Sequence, residues 1–199
     1  MEKDRILARI LARDHTVWDE LPDDISDRLD WLDGHQRMGD QIPELTAFAG
    51  RIQKAGFKRV LLLGMGAAGL PGELFNKIFR TAPGALDLTL LDTTDPDAIA
   101  ACARRHPPQE TLYLVADAAG RTLETLSLMG YFFNAAAHAL GREAAGEHFC
   151  AISNPGSRLE STALELEFGK IFLNTQKIDG AYGVLSLYGL VPAALLGVD

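Results

Sequence analysis

From Lys58 onward, short apolar runs alternate with stretches of helical length, a rhythm that few folds accept. The runs are Arg59–Leu63, Leu86–Leu91, Thr111–Ala116, Phe149–Ser153 and Lys170–Leu173. Helices are expected between them at about Pro71–Arg80, Pro96–Arg105, Thr122–Leu140 and Gly156–Glu167, with a last one from about Tyr182 to Leu196. Parallel strands need long crossovers, and each crossover returns right-handed to the same end of the sheet. The alternation therefore specifies an α/β fold, a five-stranded parallel sheet with helices on both faces.

Five strands connected in this way are expected in the flavodoxin-like order 2-1-3-4-5. Ligands of such sheets bind beyond the carboxyl ends of the strands where the winding reverses, here between the first and third. Both strand ends run into glycine-containing loops that open helices. The first, RVLLLGMGAAGLPGEL from Arg59 to Leu74, has Gly64, Gly66 and Gly69 to let the backbone turn and approach a ligand. The second is Asp117–Thr122. Free amides at the two helix starts would converge on one crevice, which suits an anion. Thr122 is also a ready helix N-cap. Arg121 either grips an anion through two donors or pairs with Asp117 or Glu124, and the surface pair is the expectation.

The first 57 residues read as a helical segment packed on the core, ahead of one α/β unit over 58–199. Ile6, Leu7, Ile10 and Leu11 recur at helical spacing, and further helical segments are expected at Asp24–Leu32 and Gln41–Ala55. Trp18 and Trp31 are expected as packing anchors. Asp95 before Pro96 reads as an N-cap followed by a first-turn proline.

A formal net charge of −8 argues against sequence-independent nucleic-acid binding, which needs a basic face. Cys102 and Cys150 show no metal or redox spacing and read as reduced core thiols of a cytoplasmic protein. The five histidines are scattered, so no metal site is expected. The N-terminus lacks the pattern of a signal peptide. Ala181–Val198 is uncharged and nearly long enough to span a bilayer, but it contains Ser186, Gly189 and Pro192 and is read as a core or interface helix.

GMGAAG also fits G-x-G-x-x-G between a strand and a helix, and Asp92 closes the next strand where a dinucleotide fold holds its ribose. Nicotinamide or flavin binding is therefore an alternative, against which stands Pro71-Gly72 where a dinucleotide-binding helix would already be running. Otherwise no cofactor is expected.

Four stretches, LLLGMGAAGLPGELF, LLDTTDPDAI, YLVADAAGRTLETLSL and YGVLSLYGLVPAALLGVD, together resemble the sugar-isomerase (SIS) domain of glucose-6-phosphate isomerase. The similarity is strongest to bacterial forms, including those fused to a transaldolase, and LARILARDHTVWDELPDDISDRLDWLDGHQRM is similar to the segment preceding the domain. The resemblance implies substrate-binding positions at Gly66, Ala67, Ala68, Gly120, Arg121, Thr122 and Thr125. It also implies what is absent. The usual phosphate-contacting serine falls on Ala68. The Ser-Lys-Ser/Thr-x-Thr-Thr loop reads Asp117, Ala118, Ala119, Gly120, Arg121, Thr122, so that only Thr122, then Glu124 and Thr125, match. The arginine of Gly-Gly-Arg-Tyr/Phe-Ser falls on Ala181, after Asp179 and Gly180.

In the family a second domain beyond position 199 brings the carboxylate base, the ring-opening histidine and a lysine. Aldose–ketose isomerisation needs such positioned acids and bases. No catalytic residue, and no isomerase activity of these residues alone, is expected. The expected role is weak binding of a sugar phosphate or other small anion, or a regulatory or associating subunit; an active isomerase completed by another chain or domain is the alternative. Val184, Leu185, Leu187, Tyr188, Leu190, Val191, Leu195 and Leu196 form an apolar surface through which a homodimer is expected.

Overall fold

Val60, Leu61, Leu62 and Leu63 are fully buried because β1 (Arg59–Leu63) lies inside a sheet covered on both faces. The computed structural model describes residues 5–23, 25–26, 28–174 and 180–198. The other strands are β2 (Asp87–Leu91), β3 (Thr111–Ala116), β4 (Phe149–Ser153) and β5 (Lys170–Leu173). All pairs are parallel, in the order β2-β1-β3-β4-β5, with Leu61 opposite both Thr89 and Tyr113. The expected topology is the observed one.

Side chains alternate between the two faces, so each strand feeds two cores. One holds Val60, Leu62, Leu112, Leu114 and Ile152 beneath α3 (Ile42–Lys54), α4 (Leu70–Phe79) and α9 (Leu187–Leu196). The other holds Leu61, Leu63, Tyr113, Val115 and Phe149 beneath α5 (Pro96–Arg105), α6 (Leu123–Leu140), α7 (Arg142–Glu147) and α8 (Arg158–Glu165). Each such leucine or phenylalanine contributes about 1.5–3 kcal/mol by leaving water. In the preceding segment, α1 (Ile6–Leu11) and α2 (Gly34–Arg37) are short, and Arg13 ties the two regions together through Asp30 and Asp33.

Several boundaries differ from expectation for local reasons. Leu86 is outside β2 because its amide donates to the Leu195 carbonyl instead of the ladder. Residue 156 does not start α8: Ser157 caps it by accepting from the Glu160 amide. Asp24 lies outside the described residues, and 30–37 form a 3-10 turn followed by α2 in place of one helix. Asp95 caps α5, accepting from Ala98 N at 2.9 Å, as expected. Trp31 stacks on Tyr182 with ring centroids 5.4 Å apart, whereas Trp18 is exposed.

The end of the chain is the main correction. The expected single helix breaks at Ser186, whose hydroxyl donates to Gly183 O at 2.7 Å and accepts from Tyr188 N. A 3-10 turn, Gly180–Leu185, therefore precedes α9. Leu187, Tyr188, Val191, Leu195 and Leu196 are buried within this same chain, whereas Leu190 is half-buried and Leu185, in the preceding turn, is exposed. Gly72 of α4 makes this docking possible: a Cβ there would stand 2.7 Å from Leu62 Cδ2 and 3.1 Å from Pro192 Cγ. One exposed apolar stripe lies on α4, at Leu70, Leu74 and Ile78, and another on α1, at Ile6, Leu7 and Leu11. No described helix is long and apolar enough to cross a membrane.

Candidate functional site

The two glycine loops meet beyond the carboxyl ends of β1 and β3. A Cβ on Gly64 would lie 3.2 Å from the Ala116 carbonyl oxygen, so the strand ends approach as closely as their side chains permit. After β1 the chain makes a 3-10 turn at Gly66–Ala68 and enters α4 at Leu70. Within this turn Ala68 N donates to Met65 O and Gly69 N to Gly66 O, so two amides of the expected anion cradle are already used. Gly69 is required by contact, since a Cβ would meet Leu90 Cδ1 at 2.6 Å. The Gly180–Leu185 turn packs against Gly66–Ala68. Asp179 lies outside the described residues, and of Ala181 only the backbone is described.

The second loop holds the decisive arrangement. Asp117 is 6% exposed, and its carboxylate turns back into its own loop. Oδ1 accepts from Ala119 N at 3.2 Å and from Gly120 N at 2.9 Å, and Oδ2 accepts from Thr122 N at 2.9 Å. The converging amides expected to hold an external anion thus hold an internal one. Successive N–H groups aimed at one point form an anion-binding concavity, and a carboxylate suits it as a phosphate oxygen does. Gly120 permits the turn with φ +65°, and a Cβ there would overlap the backbone of Leu159.

Arg121 forms no ion pair with Asp117 or Glu124, contrary to the expected surface pair. Thr122 takes the N-cap position of α6, but its hydroxyl makes no capping hydrogen bond, and its own amide donates to Asp117 Oδ2. Thr125 is buried, and its Oγ1 has no hydrogen-bond partner among the described residues; the same holds for the Tyr188 hydroxyl. Burial, and then the nearby Asp117 charge, push the Tyr188 phenol well above its usual range, so it stays protonated. Gly66, Ala67 and Ala68 line the first turn as expected, but no side-chain donor projects from them. Among the described residues, no cluster of histidine, cysteine and acidic side chains could hold a metal ion. Asp92 is exposed beyond the end of β2.

A family model described as phosphoglucose isomerase matches residues 27–199. The chain belongs to the phosphoglucose isomerase family. Its relatives include glucose-6-phosphate isomerase 4 of Rhodococcus jostii, 24% identical over 84% of this chain and 32% of that protein. The glucose-6-phosphate isomerase of a Geobacter species is 33% identical over 72% of this chain and 27% of that protein. The chain thus spans about a third or less of the curated relatives it matches.

Solved structures agree on the fold. A hypothetical protein of Thermus thermophilus superposes with TM-score 0.80 at 24% identity, over 98% of this chain and 44% of that one. A glucose-6-phosphate isomerase of Chlamydia trachomatis gives 0.69 at 19% identity, over 98% and 35%. The NanR protein of Vibrio vulnificus, complexed with ManNAc-6P, gives 0.53 at 15% identity, over 99% and 67%. Within this phosphoglucose isomerase fold, the two loops that the sequence was expected to bring together do lie side by side beyond β1 and β3. Sequence reasoning missed the acceptor role of Asp117, although an aspartate three residues before a glycine is the signature of a self-capped turn.

Proposed function

We propose that this phosphoglucose-isomerase-type domain does not isomerise sugar phosphates by itself and binds them only weakly, in the crevice between Gly64–Gly69 and Asp117–Thr122. The observation that carries this reading is the Asp117 carboxylate seated on three loop amides. A phosphate at the same amides would have to displace it or sit beside it. Two like charges 4 Å apart repel by about 4 kcal/mol at an effective dielectric of 20. That exceeds the roughly 1 kcal/mol lost with each hydroxyl donor replaced by alanine, so Asp117 weighs more than Ala68 or Ala119. The names of the relatives, and the sugar phosphate carried by the Vibrio NanR protein, make a sugar phosphate the ligand class to test.

Calorimetric titration with glucose 6-phosphate tests the reading on the wild-type chain and on Asp117→Ser. Millimolar or weaker binding is expected for the wild type, tightened by about ten-fold or more in the variant, with no turnover in a coupled isomerase assay. Micromolar binding or turnover by the wild type would overturn it. A second reading, association as a homodimer in the cytoplasm, is favoured by exposed Leu70, Leu74 and Ile78 on α4. Sedimentation at high protein concentration tests it, and a monomer there would remove it.

A further inference from the structure

Helix α4 is fixed to the rest of the chain by one side only. Pro71 and Gly72 are buried, Phe75 packs against the core, and the Asn76 side-chain amide donates to Leu88 O at 2.9 Å. The other side presents Leu70, Leu74 and Ile78 to water at four-residue spacing. Phe79, whose ring stacks on Phe75 with centroids 5.6 Å apart, is exposed at the end of the helix. Residues four apart lie one above the other on a helix, so the aliphatic side chains make one continuous stripe. Single exposed leucines need no explanation, whereas a contiguous stripe marks a contact surface.

The groups beside the stripe select what covers it. Glu73 and Lys77 border it on one flank and pair at 2.7 Å, while Phe75 and Phe79 border it on the other. A two-fold contact is self-complementary: where residue i meets j, j meets i. An antiparallel second copy of α4, with the axis passing beside residue 75, sets Glu73 against Lys77 and Lys77 against Glu73. The same operation brings Leu74 to Leu74 and Leu70 over Ile78, and lays the phenylalanine flank on its own copy. A parallel copy would set the charged flank of each helix against the phenylalanines of the other, leaving both charges without a partner across the contact. Sign and spacing thus match this helix to its own reverse.

We propose that α4 joins two copies of this chain, antiparallel about a two-fold axis, with Leu70, Leu74 and Ile78 at the centre and Glu73 and Lys77 exchanged across the rim. The proposal rests on the homodimer reading above and adds to it the face and the orientation. A contact confined to one helix pair is smaller than the roughly 800 Å² per partner of a standard interface, so the dimer is a weak one that dilution dissociates.

Sedimentation equilibrium on the full chain tests it, with circular dichroism to show that each variant keeps the fold. A dimer is expected for the wild type at high concentration, and a monomer for Ile78→Ser. Glu73→Lys should weaken association about ten-fold by facing Lys77 of the second copy, and adding Lys77→Glu should restore it. Under mild oxidation Leu74→Cys, close to the axis, should give a disulfide-linked dimer, and Leu70→Cys, far from it, should not. A monomeric wild type would overturn both this inference and the homodimer reading. A dimer that Ile78→Ser leaves intact would overturn this inference alone and move the contact to another face, such as Ile6, Leu7 and Leu11 of α1. Glu73→Lys without effect, or cross-linking through Leu70→Cys in place of Leu74→Cys, would overturn the antiparallel arrangement.

Discussion

The Ser153 hydroxyl donates to the backbone carbonyl of Asp117 at 2.6 Å, pinning the end of β3 to the end of β4. It is the middle of a chain of hydrogen bonds. The Glu160 amide donates to Ser157 Oγ at 3.0 Å, and the Ser157 hydroxyl lies 2.6 Å from Ser153 Oγ, where it can act as donor. Linked donors polarise one another in a buried setting. The cap of α8 and the position of the Asp117 loop are therefore one cooperative unit.

Ser153→Ala should break that unit. Ser153 is fully buried, and its loss leaves the Ser157 hydroxyl without an acceptor. A destabilisation of about 1–3 kcal/mol is expected in urea unfolding, as for other buried groups stripped of a partner. Hydrogen exchange should quicken at Gly120 and Thr122.

Asp117→Asn keeps the shape of the side chain and replaces one acceptor with a donor. That donor would face the Thr122 amide or the Ala119 and Gly120 amides, which now meet an oxygen. A loss of about 2 kcal/mol is expected by chemical denaturation, because hydrogen bonds to a charged acceptor are among the stronger ones. An unchanged midpoint would show that the carboxylate does not hold the loop.

Tyr188→Phe and Thr125→Val should act in the opposite direction. Both hydroxyls are buried without a partner among the described residues, so deleting them removes a desolvation cost while keeping the volume. Gains of up to about 1 kcal/mol each are expected. Destabilisation by either variant would mean that its hydroxyl is bonded in solution.

His106 makes stability sensitive to acid. Its Nδ1 lies 2.8 Å from the Cys102 carbonyl oxygen, which only an N–H can satisfy. Burial holds its pKa below the ordinary 6.5, a shift that the bond to Cys102 opposes and the Arg105 and Arg59 charges reinforce. The folded pKa being the lower one, the unfolded chain binds the proton first. The contribution is fully present above pH 6.5 and is lost as pH falls through the folded value. Unfolding free energy measured against pH should decline below that point, and His106→Gln should flatten the decline.

The strands were legible because apolar runs buried on both faces carry their own boundaries: Arg59–Leu63, Thr111–Ala116, Phe149–Ser153 and Lys170–Leu173 begin and end where expected. Leu86 was not, since its amide partner is Leu195, more than a hundred positions away. The apolar stretch ending the chain was ambiguous in principle. A helix apolar all round suits a core or an interface equally, and only the fit of Pro192 against Gly72 decides for the core. At the candidate site, the glycines identified the loops, and the resemblance to the isomerase family identified the missing donors. The direction of the Asp117 side chain was hidden, because charge counting treats a carboxylate as a repeller of anions and not as the anion itself.

A loop that needs a metabolite to complete its hydrogen bonds is ordered in proportion to the supply of that metabolite. The Asp117 carboxylate is tethered to the amides it serves, at an effective concentration that no diffusing solute sets. The hydrogen bonds of this loop are thereby completed from within the chain.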